Sequence, residues 1–239
     1  MSSAFWYAFV AALGNVVGAL AVTRRAAREL ALIEHFVAFG AGFMLSVALV
    51  EVLPEAFVRS GSAAPALVLA GYLAVHFTQH TLTPHFHFGE ETHAVNRLAG
   101  TSALVGLLLH TFFDGVAIAS AFLVRPALGL MVFIAIFLHK LPEGVTVSSL
   151  MMAGGRSGRQ AVGAAAMLGA ATLAGVALTD RIAFLIHHGL ALSAGVTIYV
   201  AASNLVPEFQ GKRGWKLPAA FFAGAAVFYV TKHILDSVS

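Results

Sequence analysis

Two segments of this chain each place an imidazole four residues before a carboxylate. They are Leu109-His110-Thr111-Phe112-Phe113-Asp114-Gly115 and Leu138-His139-Lys140-Leu141-Pro142-Glu143-Gly144. Residues at i and i+4 share one face of a helix, so His110 goes with Asp114 and His139 with Glu143. Two nitrogen and two oxygen donors suit Zn2+ and tolerate Fe2+, Mn2+, Co2+ or Cd2+. The chain has no cysteine, and a site without thiolate suits an ion that must leave again. A single histidine in an apolar run reads as a hydrogen-bonded core residue, and a single His–Asp pair as an ion pair within one helix. The second copy of the pattern is what argues for a metal. Pro142 withholds an N–H just before Glu143, and Gly115 and Gly144 let another helix or a substrate come close.

These residues must be positioned by membrane helices. Each pair sits in the middle of an apolar run of about 25 residues, long enough to cross the hydrocarbon core. Ionisable groups at that depth are costly and mark substrate paths or relays. Of the 239 residues 59% are hydrophobic and only 10% charged, against about 25% charged in a soluble domain, and the mean hydropathy is +0.86. Lipid cannot satisfy open backbone groups and no dyad alternation is visible, so the expected fold is an all-α polytopic membrane protein. The apolar runs predict eight transmembrane helices, at 4–22, 32–57, 64–82, 98–123, 127–152, 160–179, 185–209 and 217–235. They form one domain over 1–239 that leaves no room for a soluble one. The first span lacks a basic leader and is followed by Arg24, Arg25 and Arg28, which suits a retained helix better than a cleaved signal.

Charge fixes the expected orientation. Alternate loops hold Arg24, Arg25, Arg28, Arg97, Arg156, Arg159, Lys212, Arg213 and Lys216, nine in all, and the opposite side holds Arg59, Arg125, Arg181 and Lys232. The positive-inside rule then puts both termini outside the cytoplasm. These bases read as topology determinants, so no nucleic-acid partner is expected; the partners are a divalent metal ion and the bilayer. Spans four and five run in opposite directions from a tight turn at Arg125-Pro126, and at 1.5 Å per residue their His–carboxylate pairs reach similar depth.

Other polar residues extend the pattern. Glu51-Val52-Leu53-Pro54-Glu55 closes span two and Asn204-Leu205-Val206-Pro207-Glu208 closes span seven. Aligning the prolines pairs Glu55 with Glu208 and Glu51 with Asn204 on helices of opposite polarity. This is an inverted repeat of the first and last three helices around a central pair, a common transporter plan. The four residues read either as pathway groups near each mouth or as ordinary helix ends. The cytoplasmic loop 81–97 carries His85, His87 and His93 with Glu90 and Glu91, after His76 and His80. His-rich tracts can bind metal loosely; a polar loop beside the headgroups is the plainer reading. His187 and His188 read as ion-gathering or simply solvated residues at the outer end between spans six and seven.

The two motifs resemble those of the ZIP family of divalent metal transporters. That family has a His-Asn-x-x-Asp/Glu-Gly pattern on span four and a His-x-x-Pro-Glu-Gly pattern on span five. The resemblance covers the span count, the orientation and the His-bearing loop after span three. It implies metal movement into the cytoplasm, with His110, Asp114, His139 and Glu143 as the primary ligands. It also implies that spans one and six travel with four and five, leaving two, three, seven and eight as scaffold and as the contact for any homodimer. Many members bind a second metal through the residue after each His and a carboxylate on span six. Here those neighbours are Thr111 and Lys140, and span six has no carboxylate before Asp180 at its outer end, Thr172 being its best-placed polar residue. A single-metal site is therefore expected, with the Lys140 ammonium in place of the second ion. Lys140 is read either as a fixed salt-bridge partner of Asp114 or Glu143 or as a group that exchanges a proton during transport.

The expected function is transmembrane transport of divalent cations, foremost Zn2+ uptake by alternating access, with the metal as substrate and no cofactor. The alternative is an intramembrane metal-dependent hydrolase using the same ligands to activate water. Against it, no His-Glu-x-x-His signature is present and no separate general base stands out near mid-span. A metal-gated receptor would bind without flux. The short loops suit a prokaryotic inner membrane.

Overall fold

The computed structural model describes residues 3–24, 30–81, 97–210 and 212–238, and these form helices and short connections without a strand. The helices are α1 (Ser3–Arg24), α2 (Leu30–Val47), α3 (Leu53–Ser60), α4 (Ala64–Thr81), α5 (Arg97–Val124), α6 (Pro126–Ala153), α7 (Gly158–Thr179), α8 (Ala183–Tyr199), α9 (Pro207–Gln210) and α10 (Lys216–Val238). Among the described residues seven stretches are long and apolar enough to cross a membrane, one of them the 46-residue run Glu34–Gln79. Apolar side chains such as Trp6, Val17, Phe222 and Val230 are exposed on the outside of the bundle, as lipid-facing surface requires.

Proline and glycine shape the helix ends. A π-helical segment, Ala48–Val52, joins α2 to α3, and a second, Val200–Leu205, leads from α8 to α9. Each lies just before a proline, Pro54 and Pro207. A proline ring clashes with the carbonyl four residues back, and widening the turn to π relieves the clash. The 46-residue run reverses at the 3-10 turn Gly61–Ala63, where Gly61 has φ +52, a conformation glycine adopts without penalty. Ser60 Oγ donates to His187 O near the start of α8 and Tyr72 meets Tyr199 edge-on at its end, so α3 and α4 both pack on α8. Arg125 is extended and Pro126 opens α6, a pre-organised first turn. Ser157 and Gln160 form a reciprocal capping box at the start of α7, which satisfies two backbone groups left open there.

Packing between helices rests on reciprocal glycines. A Cβ on Gly18 or Gly144 would strike the partner's carbonyl across α1 and α6, and the same holds for Gly42 and Gly224 across α2 and α10. Gly71 and Gly195 do this between α4 and α8, and Gly115 and Gly175 between α5 and α7. Small residues let membrane helices approach to backbone contact, where van der Waals packing holds them. Pro142 does not break α6, which stays α-helical through it.

Candidate metal centre

α5 and α6 each have 28 residues, and His110 and His139 stand at their midpoints. The turn at Arg125 folds the two helices back to back, bringing the two i,i+4 pairs to one level. His110, Asp114, His139 and Glu143 are all buried and offer ligand atoms within 4.8 Å of one another. His110 Nε2 lies 3.4 Å from Asp114 Oδ2 and 3.5 Å from Glu143 Oε1, and His139 Nε2 lies 3.3 Å from Asp114 Oδ2. A tetrahedral ion with ligand bonds of about 2.0–2.1 Å has ligand-to-ligand edges of about 3.3–3.4 Å. These three of the six separations lie within about 0.1 Å of such edges.

The remaining bonds tune the donors. His139 Nδ1 faces the Ala135 carbonyl at 3.2 Å and can donate to it, which orients Nε2 toward the cluster, 3.3 Å from Asp114 Oδ2. His110 Nδ1 and Nε2, Asp114 Oδ1 and Glu143 Oε1 are buried with no hydrogen-bond partner among the described residues. Buried polar atoms are seldom left so; a divalent cation in the cluster would satisfy His110 Nε2 and Glu143 Oε1, which face each other across it, but not His110 Nδ1, which lies on the opposite edge of the ring.

Lys140 closes the other side. Its Nζ donates to Asp114 Oδ2 at 2.6 Å and to Glu143 Oε2 at 2.7 Å, with the side chain 0% exposed. Asn15 of α1 was not foreseen from the sequence. With its amide nitrogen turned to the acceptors around it, it donates to Glu143 Oε2 at 3.1 Å and to Lys140 O at 2.6 Å. Its signal was a fully polar amide in the middle of the first apolar run, costly there unless paired.

Thr111 is buried and donates to Leu108 O, and Thr172 to Leu168 O; both hydroxyls are engaged with their own helices. The backbone of Thr172 is the surface on which Gly115 rests. Glu51 is buried and ion-paired with Arg125 at the α5–α6 turn and with Lys232 of α10. Asp236 joins both cations, at 3.5 and 3.0 Å. Glu55 and Asn204 are partly buried. The side chain of Glu208 lies outside the described set, as do His85, His87 and His93 and nearly all of the loop 81–97. His76 packs against Tyr199, and His188 Nδ1 meets Ser60 Oγ at 3.0 Å.

An apolar helical bundle with a buried two-imidazole, two-carboxylate cluster defines an integral membrane protein with a candidate divalent-metal site. A family model described as ZIP zinc transporter matches residues 89–232, and the chain belongs to that family. It is 31% identical over 137 residues to the zinc transporter ZIP6 of Homo sapiens, covering 52% of this chain and 18% of the relative. It is 28% identical over 109 residues to the zinc transporter ZIP10 of Danio rerio, covering 44% and 13%. It is 30% identical over 138 residues to the zinc transporter SLC39A7 of Canis lupus familiaris, covering 53% and 29%. The matches thus span less than a third of each relative. These relatives are transporters by name and not enzymes, so the hydrolase alternative is set aside.

Proposed function

We propose that this protein moves Zn2+, or a similar divalent cation such as Cd2+, Fe2+ or Mn2+, into the cytoplasm through a mid-bilayer site formed by His110, Asp114, His139 and Glu143. The observation that carries the reading is the buried cluster itself, with four donor residues within 4.8 Å of one another and three of their separations between 3.3 and 3.5 Å, halfway along two membrane helices. Ionisable residues at that depth mark substrate pathways. Lys140 holds both carboxylates where a second cation would bind, so the site takes one metal.

The reading includes eight crossings with both termini outside. The reversal at Gly61 supports counting the long second stretch twice, and the excess of basic residues on one side supports the orientation. An inverted repeat is supported by the two π segments before Pro54 and Pro207 and by the glycine pairing. Exchanging the first three spans with the last three, and span four with span five, maps α1–α6 onto α7–α5 and α2–α10 onto α8–α4. The same pairing supports alternating access by two bodies. One is α1, α5, α6 and α7, carrying the metal; the other is α2, α4, α8 and α10, a static frame and the face for any homodimer. Glu51, Glu55, Asn204 and Glu208 belong to the mouths of the pathway in this scheme, and His85, His87 and His93 to a loop that receives released ions. The short loops fit a prokaryotic inner membrane, although the relatives named above are eukaryotic.

Uptake into sealed proteoliposomes tests the proposal, comparing Zn2+, Cd2+, Fe2+ and Mn2+ in wild type and in His110→Ala/His139→Ala protein. Flux should appear in the wild type and vanish in the folded variant. Metal binding without flux in the wild type would refute transport, and undiminished flux in the variant would refute the site.

A further inference from the structure

The two oxygens of Glu143 have different surroundings. Oε1 faces His110 Nε2 and has no hydrogen-bond partner among the described residues. Oε2 accepts from Lys140 Nζ at 2.7 Å and from the Asn15 amide at 3.1 Å. Both donors belong to residues with 0% exposure, and they come from different helices. The geometry points to Asn15 and Lys140 as positioning residues that limit Glu143 to one coordinating oxygen and so select small, four-coordinate cations. This inference rests on the transport reading of the same site.

A carboxylate becomes bidentate by turning its second oxygen toward the ion. Here that turn would break an ammonium–carboxylate bond, among the stronger hydrogen bonds in proteins, together with the bond from the amide. Lys140 Nζ also meets Asp114 Oδ2 at 2.6 Å, so the ammonium fills the space between the acids through which a further oxygen ligand would approach. With Glu143 held to Oε1, and with His110 Nε2, His139 Nε2 and Asp114 Oδ2 as the other donors, four atoms meet the ion; Asp114 Oδ1 is not held in this way. Four nitrogen and oxygen donors suit tetrahedral Zn2+ and its spectroscopic substitute Co2+, whereas Mn2+ favours six oxygen-rich ligands.

The amide reaches Oε2 only because α1 lies directly on α6. A Cβ on Gly144 would collide with the Asn15 carbonyl, and one on Gly14 would stand 3.1 Å from Lys140 Cβ. Side chains at those two places would push α1 outward and withdraw Asn15 from Glu143.

Co2+ loaded into the purified full-length protein provides the probe. Wild type should show the intense visible absorption of four-coordinate Co2+, and X-ray absorption with Zn2+ should find four light ligands. Asn15→Ala and Lys140→Met should shift both toward five or six ligands and lower the preference for Zn2+ over Mn2+ in equilibrium binding by about tenfold or more, the usual scale for losing a partner behind a metal ligand. Lys140→Arg, which keeps a cationic donor, should retain the four-coordinate spectrum. Asn15→Ala leaves both Lys140 ion pairs in place, so it carries the test if Lys140→Met does not fold. Six-coordinate Co2+ in the wild type overturns the inference. So does a folded Asn15→Ala protein with unchanged spectrum and preference. A four-coordinate wild type that binds Zn2+ but does not move it into liposomes would refute transport while supporting the inference about coordination.

Discussion

Lys140→Met leaves two buried carboxylates facing each other without their cation, and its effect can be worked from the contacts. The ammonium makes two charge-assisted bonds, 2.6 Å to Asp114 and 2.7 Å to Glu143, and all three side chains have at most 5% exposure. Removing one partner of a buried ion pair costs about 3–5 kcal/mol, because the remaining charge is neither paired nor hydrated. Methionine nearly preserves the volume, so little packing loss is added. For a chain of this size the melting temperature should fall on the order of 10 °C. Thermal unfolding of purified protein in detergent, with chelator and then with Zn2+, measures it. Zn2+ brings a new countercharge and should bind the variant more tightly, so at one fixed Zn2+ concentration the variant should gain more than the wild type does; a hundredfold excess over Kd is worth about 2.7 kcal/mol. Lys140→Met/Asp114→Asn/Glu143→Gln should recover most of the loss in chelator, since no unpaired charge remains. If Lys140→Met melts with the wild type in chelator, the ammonium is not what holds these carboxylates and the argument fails.

The other predictions concern neighbouring features. Lys140→Asp should allow a second metal to bind; a stoichiometry still at one by calorimetry or elemental analysis would count against the place assigned to Lys140. Gly115→Ala would drive a methyl group into the Thr172 carbonyl and should destabilise the protein by about 1–3 kcal/mol, read as a lower melting temperature; an unchanged value would mean that α5 and α7 are not in backbone contact. Glu51→Gln loosens a buried acid from Arg125 and Lys232, whose own side chains are 38% and 31% exposed. The bases can turn to water, so the loss should stay near 1 kcal/mol. A collapse of expression would show that this ion cluster holds the fold. Deleting 85–93 should slow uptake without abolishing it, and complete loss in folded protein would make the loop part of the transport path.

The amino-acid order by itself determined what depends on neighbours along the chain. Apolar runs set the helices to within a few residues, because backbone groups in lipid must bond within their own segment. The i,i+4 spacing put His110 with Asp114 and His139 with Glu143, and the short turn at Arg125-Pro126 brought the pairs to one depth. Lys140 was recognisable as a misfit beside a metal site, but whether it met Asp114, Glu143 or both was not. Tertiary structure decided that it meets both, and that Asn15, 128 positions before Glu143, grips the outer oxygen of that acid. It also decided that Glu51 is ion-paired with Arg125 and Lys232, and which glycine sits on which carbonyl. Helical period is a property of one segment, legible in its own spacing. Which helices touch, and at what height, follows from the packing of segments far apart in the chain, and no local spacing encodes it.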